Sequence, residues 1–160
     1  TKSQIQENKK KFAEKISIGK KAQNSKEFMI IARIESFILG KGIKDAIERA
    51  HAYVKAGADG IMIHSKSKDP KQIFEFAKIF RKKYKDIPLI SVPSSYNQVK
   101  EAELEKVGFN VVIYANHMLR ASYPSMKDIA EQILKNSRTK EIDKKLLTIK
   151  EILNLIPGTS

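Results

Sequence analysis

The chain has 160 residues, 41% hydrophobic and 31% charged, which is enough apolar material for one folded domain and too much for a disordered segment. It has no cysteine, which excludes disulfides, thiolate nucleophiles and cysteine-based zinc sites, and no apolar run near the ~18–20 residues of a membrane span. A net charge of +13, from 31 basic and 18 acidic residues, is the one unusual bulk figure.

The first element, Ile5 to Ala22, has a helical pattern with no strand in front of it. Four short, continuous, β-branched runs follow: Phe28 to Arg33, Gly60 to His64, Pro88 to Val92 and Asn110 to Ala115. Continuous rather than alternating hydrophobicity is the pattern of parallel strands buried on both faces. Between the first two runs, Ile43 to Ala56 carries an apolar stripe (Ile43, Ala46, Ile47, Ala50, Tyr53, Val54) and stops at Gly57. Asp69 and Pro70 read as N-cap and first residue of a helix bearing Ile73, Phe76 and Phe80. A shorter helix spans Glu101 to Val107, ended by Gly108, and a long helical region from Met118 to Lys135 is expected to break at Pro124. The tail from Arg138 to Ser160 has an apolar helical face and no strand to pack on, so it covers the fold's own surface or a neighbouring subunit.

Strand alternating with helix in short units predicts an α/β fold with a parallel sheet and right-handed crossovers. No Gly-rich G-x-G-x-x-G loop follows any strand, which removes the usual mark of an open dinucleotide-binding sheet. A closed (β/α)8 barrel runs to about 250 residues, so four strands behind an orphan helix read as half of one. The expected division is residues 1–137 for the half-barrel and 138–160 for the helical tail.

In parallel sheets and barrels, chemistry gathers at the C-terminal ends of strands. Here those ends read Arg33-Ile34-Glu35-Ser36, His64-Ser65-Lys66, Pro93-Ser94-Ser95 and Asn116-His117, each a polar group after an apolar run. Arg33 is the leading candidate, because a guanidinium fork suits carboxylate or phosphate oxygens; the plainer alternative is a salt bridge to Glu35. His64, at the equivalent point of the next strand, can donate to a phosphoryl oxygen or move a proton, or be a satisfied core histidine. His51 and His117 read as structural. There is no Ser-His-Asp set, no H-E-x-x-H helix and no acidic cluster at a strand end, so no metal ligands are expected within this chain.

The lysines at 9–11, 20–21, 82–83 and 144–145 are scattered over several helix surfaces and not interleaved with stacking aromatics. The positive excess therefore reads as solvated surface, with no specific nucleic acid and no membrane as partner. The N-terminal residues show no signal-peptide core, and a cytoplasmic setting is expected.

Several stretches together are more specific than any one of them: Ile31-Ala32-Arg33-Ile34-Glu35-Ser36-Phe37-Ile38 with Gly40 and Gly42; Ala56-Gly57-Ala58-Asp59-Gly60 through His64-Ser65-Lys66, with Asp69-Pro70; Val92-Pro93; and Ala115-Asn116-His117-Met118-Leu119-Arg120-Ala121-Ser122. In these stretches the chain resembles the phosphoenolpyruvate mutase branch of the isocitrate lyase superfamily. The resemblance implies that the four strands are the fifth to eighth of a TIM-type barrel. It also implies interconversion of phosphoenolpyruvate and phosphonopyruvate, the carbon–phosphorus bond-forming step of phosphonate biosynthesis, with Mg2+ as cofactor. On that likeness Arg33 and His64 contact the migrating phosphoryl group, serving as both substrate-binding and catalytic residues. The Mg2+ ligands, phosphonate-binding loop and gating loop belong upstream of Thr1, so this stretch alone is expected to be inactive.

The alternatives are phosphonopyruvate hydrolase, towards which Lys66 argues weakly against, or a carbon–carbon lyase of the same superfamily, where the His64 position is typically Glu. A reading of a different class is a non-catalytic basic half-barrel that binds an acidic partner. The resemblance and the apolar tail together imply a homo-oligomer held through C-terminal helices.

Overall fold

The computed structural model describes residues 4–156 and Gly158. Four strands form one sheet in the order β1 (Ile31–Ile34), β2 (Gly60–Ile63), β3 (Leu89–Ser91) and β4 (Val111–Val112). All three neighbouring pairs are parallel, with Arg33 in register with Met62, and Ile90 in register with both Met62 and Val111. The helices alternate with the strands: α1 (Lys9–Lys21), α2 (Gly42–Lys55), α3 (Lys71–Lys83) and α4 (Glu101–Lys106).

Strand side chains alternate between faces. Ala32, Ile34, Ile61, Ile63 and Leu89 lie on the face that meets the helices, where they form one core with Ala46, Ala50, Tyr53, Ile73, Phe76 and Phe80. Phe76 and Phe80 stack with ring centroids 5.8 Å apart and are fully buried, so truncating either to Ala would cost about 3–5 kcal/mol. Gly60 is needed where it stands: a Cβ there would lie 2.7 Å from Ile31 Cδ1 and 3.0 Å from the Pro88 carbonyl.

Arg81, near the end of α3, closes two loops at the N-terminal edge of the sheet. Its guanidinium donates to the carbonyls of Tyr84 (2.9 Å), Ile87 (2.7 Å) and Gly108 (2.7 Å from Nε) and to the Asn110 side chain. Gly108 has φ +104°, and a Cβ there would lie 2.7 Å from Arg81 Cγ.

Several boundaries differ from the sequence reading. Helix α1 starts at Lys9 rather than at Ile5, because the Asn8 side chain accepts from the backbone N–H groups of Lys10 (2.9 Å) and Lys11 (3.4 Å). Helix α3 starts one residue later than expected, at Lys71, whose N–H donates to Asp69 Oδ1 at 3.0 Å. Strand β4 pairs over two residues only.

The chain divides into two compact units, residues 1–115 and 116–160. The second holds α5 (His117–Asn136), a 3-10 helix (Lys140–Lys145) and α6 (Ile149–Leu153). Helix α5 runs unbroken through Pro124, against the expected interruption. Flanking hydroxyls donate to nearby backbone carbonyls, Ser122 to Leu119 and Ser125 to Ala121, each at 3.2 Å. The tail is two short helices rather than one continuous amphipathic one: the 3-10 helix buries Ile142, and α6 starts at a Thr148–Glu151 capping box.

Candidate functional site

The face of the sheet turned away from the helices carries Ile31, Met62, Ile90, Val111 and Ile113, which with Met29 line an apolar groove of about 400 Å3. At the C-terminal end of the strands the same face turns polar. Arg33 follows Ile31 by two residues and His64 follows Met62 by two, so strand alternation puts both on this face. The backbone N–H of His64 donates to the Ile34 carbonyl at 3.3 Å, continuing the ladder and setting His64 opposite Glu35. The two residues singled out from the sequence are thus brought together.

Arg33 donates from Nε to the Glu35 carboxylate, so the salt bridge weighed as the plain alternative exists. It is not a buried pair: the Arg33 side chain is 49% exposed. This bond occupies Nε, and among the described residues the terminal Nη groups have no hydrogen-bond partner. Arg33 and Glu35 also line a cavity of about 320 Å3 with Gln6, Glu7, Arg49 and Tyr53.

His64 is half-buried, and its Nδ1 is shielded from solvent without a hydrogen-bond partner among the described residues. A satisfied core histidine would have one. Burial holds the imidazole below its usual value of 6.5, the Arg33 charge lowers it further, and Glu35 opposes both. At neutral pH the ring is therefore uncharged, with one nitrogen to donate and one to accept. A cationic fork beside a neutral imidazole can hold an anionic group and hand it a hydrogen bond.

The strand ends are fastened from behind by three buried serines. Ser36 donates to Asp45 at 2.6 Å, Ser65 accepts the Ser67 N–H at 3.1 Å, and Ser91 hydrogen-bonds the Tyr96 hydroxyl at 2.9 Å. Burial raises the Asp45 carboxyl, but hydrogen bonds from Ser36 and Arg49 outweigh it and keep the group below its ordinary value. Asp45 and Arg49 were missed in the sequence, although an i,i+4 acid–base pair on an otherwise apolar helix stripe was a readable signal. His51 packs edge-on against Tyr84 at 5.5 Å, and His117 opens α5 in the second unit. Among the described residues no group of three or more His, Asp or Glu side chains could hold a metal ion.

A family model described as phosphoenolpyruvate phosphomutase matches residues 1–134. The chain belongs to the phosphoenolpyruvate phosphomutase family. Within that family and its neighbours, it is 39% identical over 147 residues to a phosphonopyruvate hydrolase of Variovorax sp. (strain Pal2), covering 90% of this chain and 49% of the relative. It is 37% identical over 144 residues to a phosphoenolpyruvate phosphomutase of Tetrahymena pyriformis, covering 90% of this chain and 47% of that one. A crystal structure of phosphonopyruvate hydrolase in complex with oxalate and Mg++ superposes with a TM-score of 0.85 at 34% identity, over 96% of this chain and 53% of that one. The chain spans about half the length of the relatives it matches. Its parallel sheet is the C-terminal half of a TIM-type barrel, as the strand pattern and the family resemblance together implied.

Proposed function

We propose that this chain supplies the phosphoryl-holding half of an enzyme that interconverts phosphoenolpyruvate and phosphonopyruvate. The observation that carries the reading is the pairing of Arg33 with an uncharged, unsatisfied His64 on one face of adjacent strand ends. In the reaction the bond from phosphorus to the enol oxygen breaks and a bond from phosphorus to the terminal carbon forms, so atoms balance with no co-reactant. A phosphoryl group in flight has a loose, metaphosphate-like character and asks for fixed charge and donors more than for a nucleophile. The free Nη groups of Arg33 would take the equatorial oxygens bidentately, and His64 would donate to one of them. The apolar groove below would keep water from intercepting the group.

The superposed hydrolase is a complex with Mg++; the described residues of this chain offer no cluster of acidic or histidine ligands, so such an ion would be held by residues outside them. The substrate class is a small 2-oxo acid phosphonylated on carbon, or the enol phosphate of such an acid. We further propose a homo-oligomer held through the second unit, whose Met118, Leu119, Met126, Leu134 and Ile149 are exposed, and a cytoplasmic setting. Among the described residues no helix is long and apolar enough to cross a membrane.

Phosphonopyruvate hydrolase is the second reading, favoured by the 39% identity to the Variovorax enzyme. There water would take the phosphoryl group that the mutase returns to substrate. Phosphorus NMR of the full-length protein with phosphonopyruvate and Mg2+ separates the two. A phosphoenolpyruvate signal means mutase, inorganic phosphate with pyruvate means hydrolase, and neither would overturn both readings.

A further inference from the structure

We propose that Arg49 is a positioning residue for Arg33, acting through Asp45 and Ser36 without touching substrate; the role in turnover rests on the phosphoryl-holding reading above. Arg49 lies on α2 and is 5% exposed, in a helix face that otherwise packs as core. A buried ion pair gains little over well-packed apolar side chains of the same size, so packing alone gives no reason for one here. Its connections supply the reason.

Nε of Arg49 donates to Asp45 Oδ2 at 3.0 Å, and the same oxygen accepts from Ser36 Oγ at 2.6 Å. Ser36 is fully buried and directly follows Glu35, the carboxylate that Arg33 is bonded to. Each placement therefore depends on the one behind it: Arg49 fixes Asp45, Asp45 fixes Ser36, and Ser36 fixes the peptide that carries Glu35. From the same guanidinium, Nη1 donates to the Glu7 carbonyl at 3.0 Å and to the Tyr53 hydroxyl at 2.9 Å. Gln6 closes the circuit by donating to Ser36 Oγ at 3.3 Å. The stretch entering α1 and the end of β1 are thus tied to one group, and both stand on the wall of the cavity that Arg33 lines. A misplacement of about 1 Å in a charged donor can cost ~10²-fold in rate, so a brace at this point controls turnover as well as folding.

The test uses the full-length protein. Ser36→Ala cuts the link to β1 while leaving the Arg49–Asp45 pair intact, so it avoids the misfolding that Arg49→Ala invites. The expected result is a kcat lowered about tenfold with KM changed by less than about twofold, as for an interaction that orients reacting groups rather than binding substrate. The His64 ring resonance should titrate at higher pH than in the wild type, because Arg33 no longer stands fixed beside it. Arg33→Lys combined with Ser36→Ala should be no slower than Arg33→Lys alone. Arg49→Gln should reproduce the Ser36→Ala pattern wherever thermal melting shows it folded. An unmoved His64 titration, or losses that multiply in the double variant, would show that Arg49 only braces the fold. If the wild type turns over neither substrate, the functional reading falls, and the His64 titration alone still decides whether Arg49 holds Arg33 in place.

Discussion

Glu35 and His64 face each other across the seam between β1 and β2, and Arg33 is tied to both, by a hydrogen bond to the first and by its charge to the second. The carboxylate keeps the guanidinium oriented, while burial, helped by the guanidinium charge, keeps the imidazole neutral.

Arg33→Ala should lower interconversion, or hydrolysis, by at least about 10²–10³-fold, the usual cost of removing one preorganised donor from a developing charge. Arg33→Lys keeps the charge but loses the fork, and should fall between wild type and Ala. Rates are read by phosphorus NMR with phosphonopyruvate and Mg2+. Near-normal turnover in Arg33→Ala would place the phosphoryl site elsewhere.

The pH dependence of stability follows from His64. Its folded pKa is depressed below 6.5, so the unfolded chain takes up a proton that the fold resists. The stabilising contribution is fully present above about pH 6.5 and is lost as pH falls through the folded pKa. Denaturant unfolding of wild type and His64→Gln between about pH 5 and 8 should give a difference that is flat at the alkaline end and narrows on acidification. His51, also held down by burial and by Lys83, is common to both proteins and cancels. A difference that does not change with pH would show that His64 ionises alike in both states.

Arg81 and Gly108 form one stability unit. Arg81→Met strands several loop carbonyls and should cost about 1–3 kcal/mol. Gly108→Ala forces a side chain into φ +104° and against Arg81, and should cost a similar amount, of order 1–3 kcal/mol. Both lie at the opposite end of the strands from Arg33 and His64, so activity per folded molecule should hold. Chemical denaturation with activity measured at low denaturant checks both halves.

Light scattering on the full-length protein should give at least a dimer, given the exposed Met118, Leu119 and Ile149 of the second unit. Leu134→Glu, at a position 81% exposed, should weaken association while leaving the fold of residues 1–115 intact. A wild-type monomer at micromolar concentration would count against the assembly.

The sheet was legible because parallel strands buried by helices leave unbroken apolar runs, and Arg33 and His64 stood out as the charged and titratable ends of two such runs. Asn8 was not recognised as a cap, since nothing in Ile5 to Asn8 itself breaks the helical pattern; the cap shows only once its side chain is seen turned onto Lys10 and Lys11. Pro124 misled because the local rule against proline is only a tendency: α5 runs through it from His117 to Asn136 with one backbone donor fewer. Arg49 was legible only in part: its i,i+4 neighbours Asp45 and Tyr53 share α2, but no spacing rule links it to the Glu7 carbonyl or, through Asp45, to Ser36.

The strand order β1-β2-β3-β4 bears on how the protein is made. Among the described residues each strand after β1 pairs with the one synthesised just before it, over separations of about thirty residues or fewer, so these three pairings need no distant partner. As the chain leaves the ribosome, each helix–strand unit can dock on a finished edge, and the nascent sheet grows in one direction. Arg33 and Glu35 emerge before His64, and all three precede β3 and β4, so the candidate site belongs to the first strand pair able to dock.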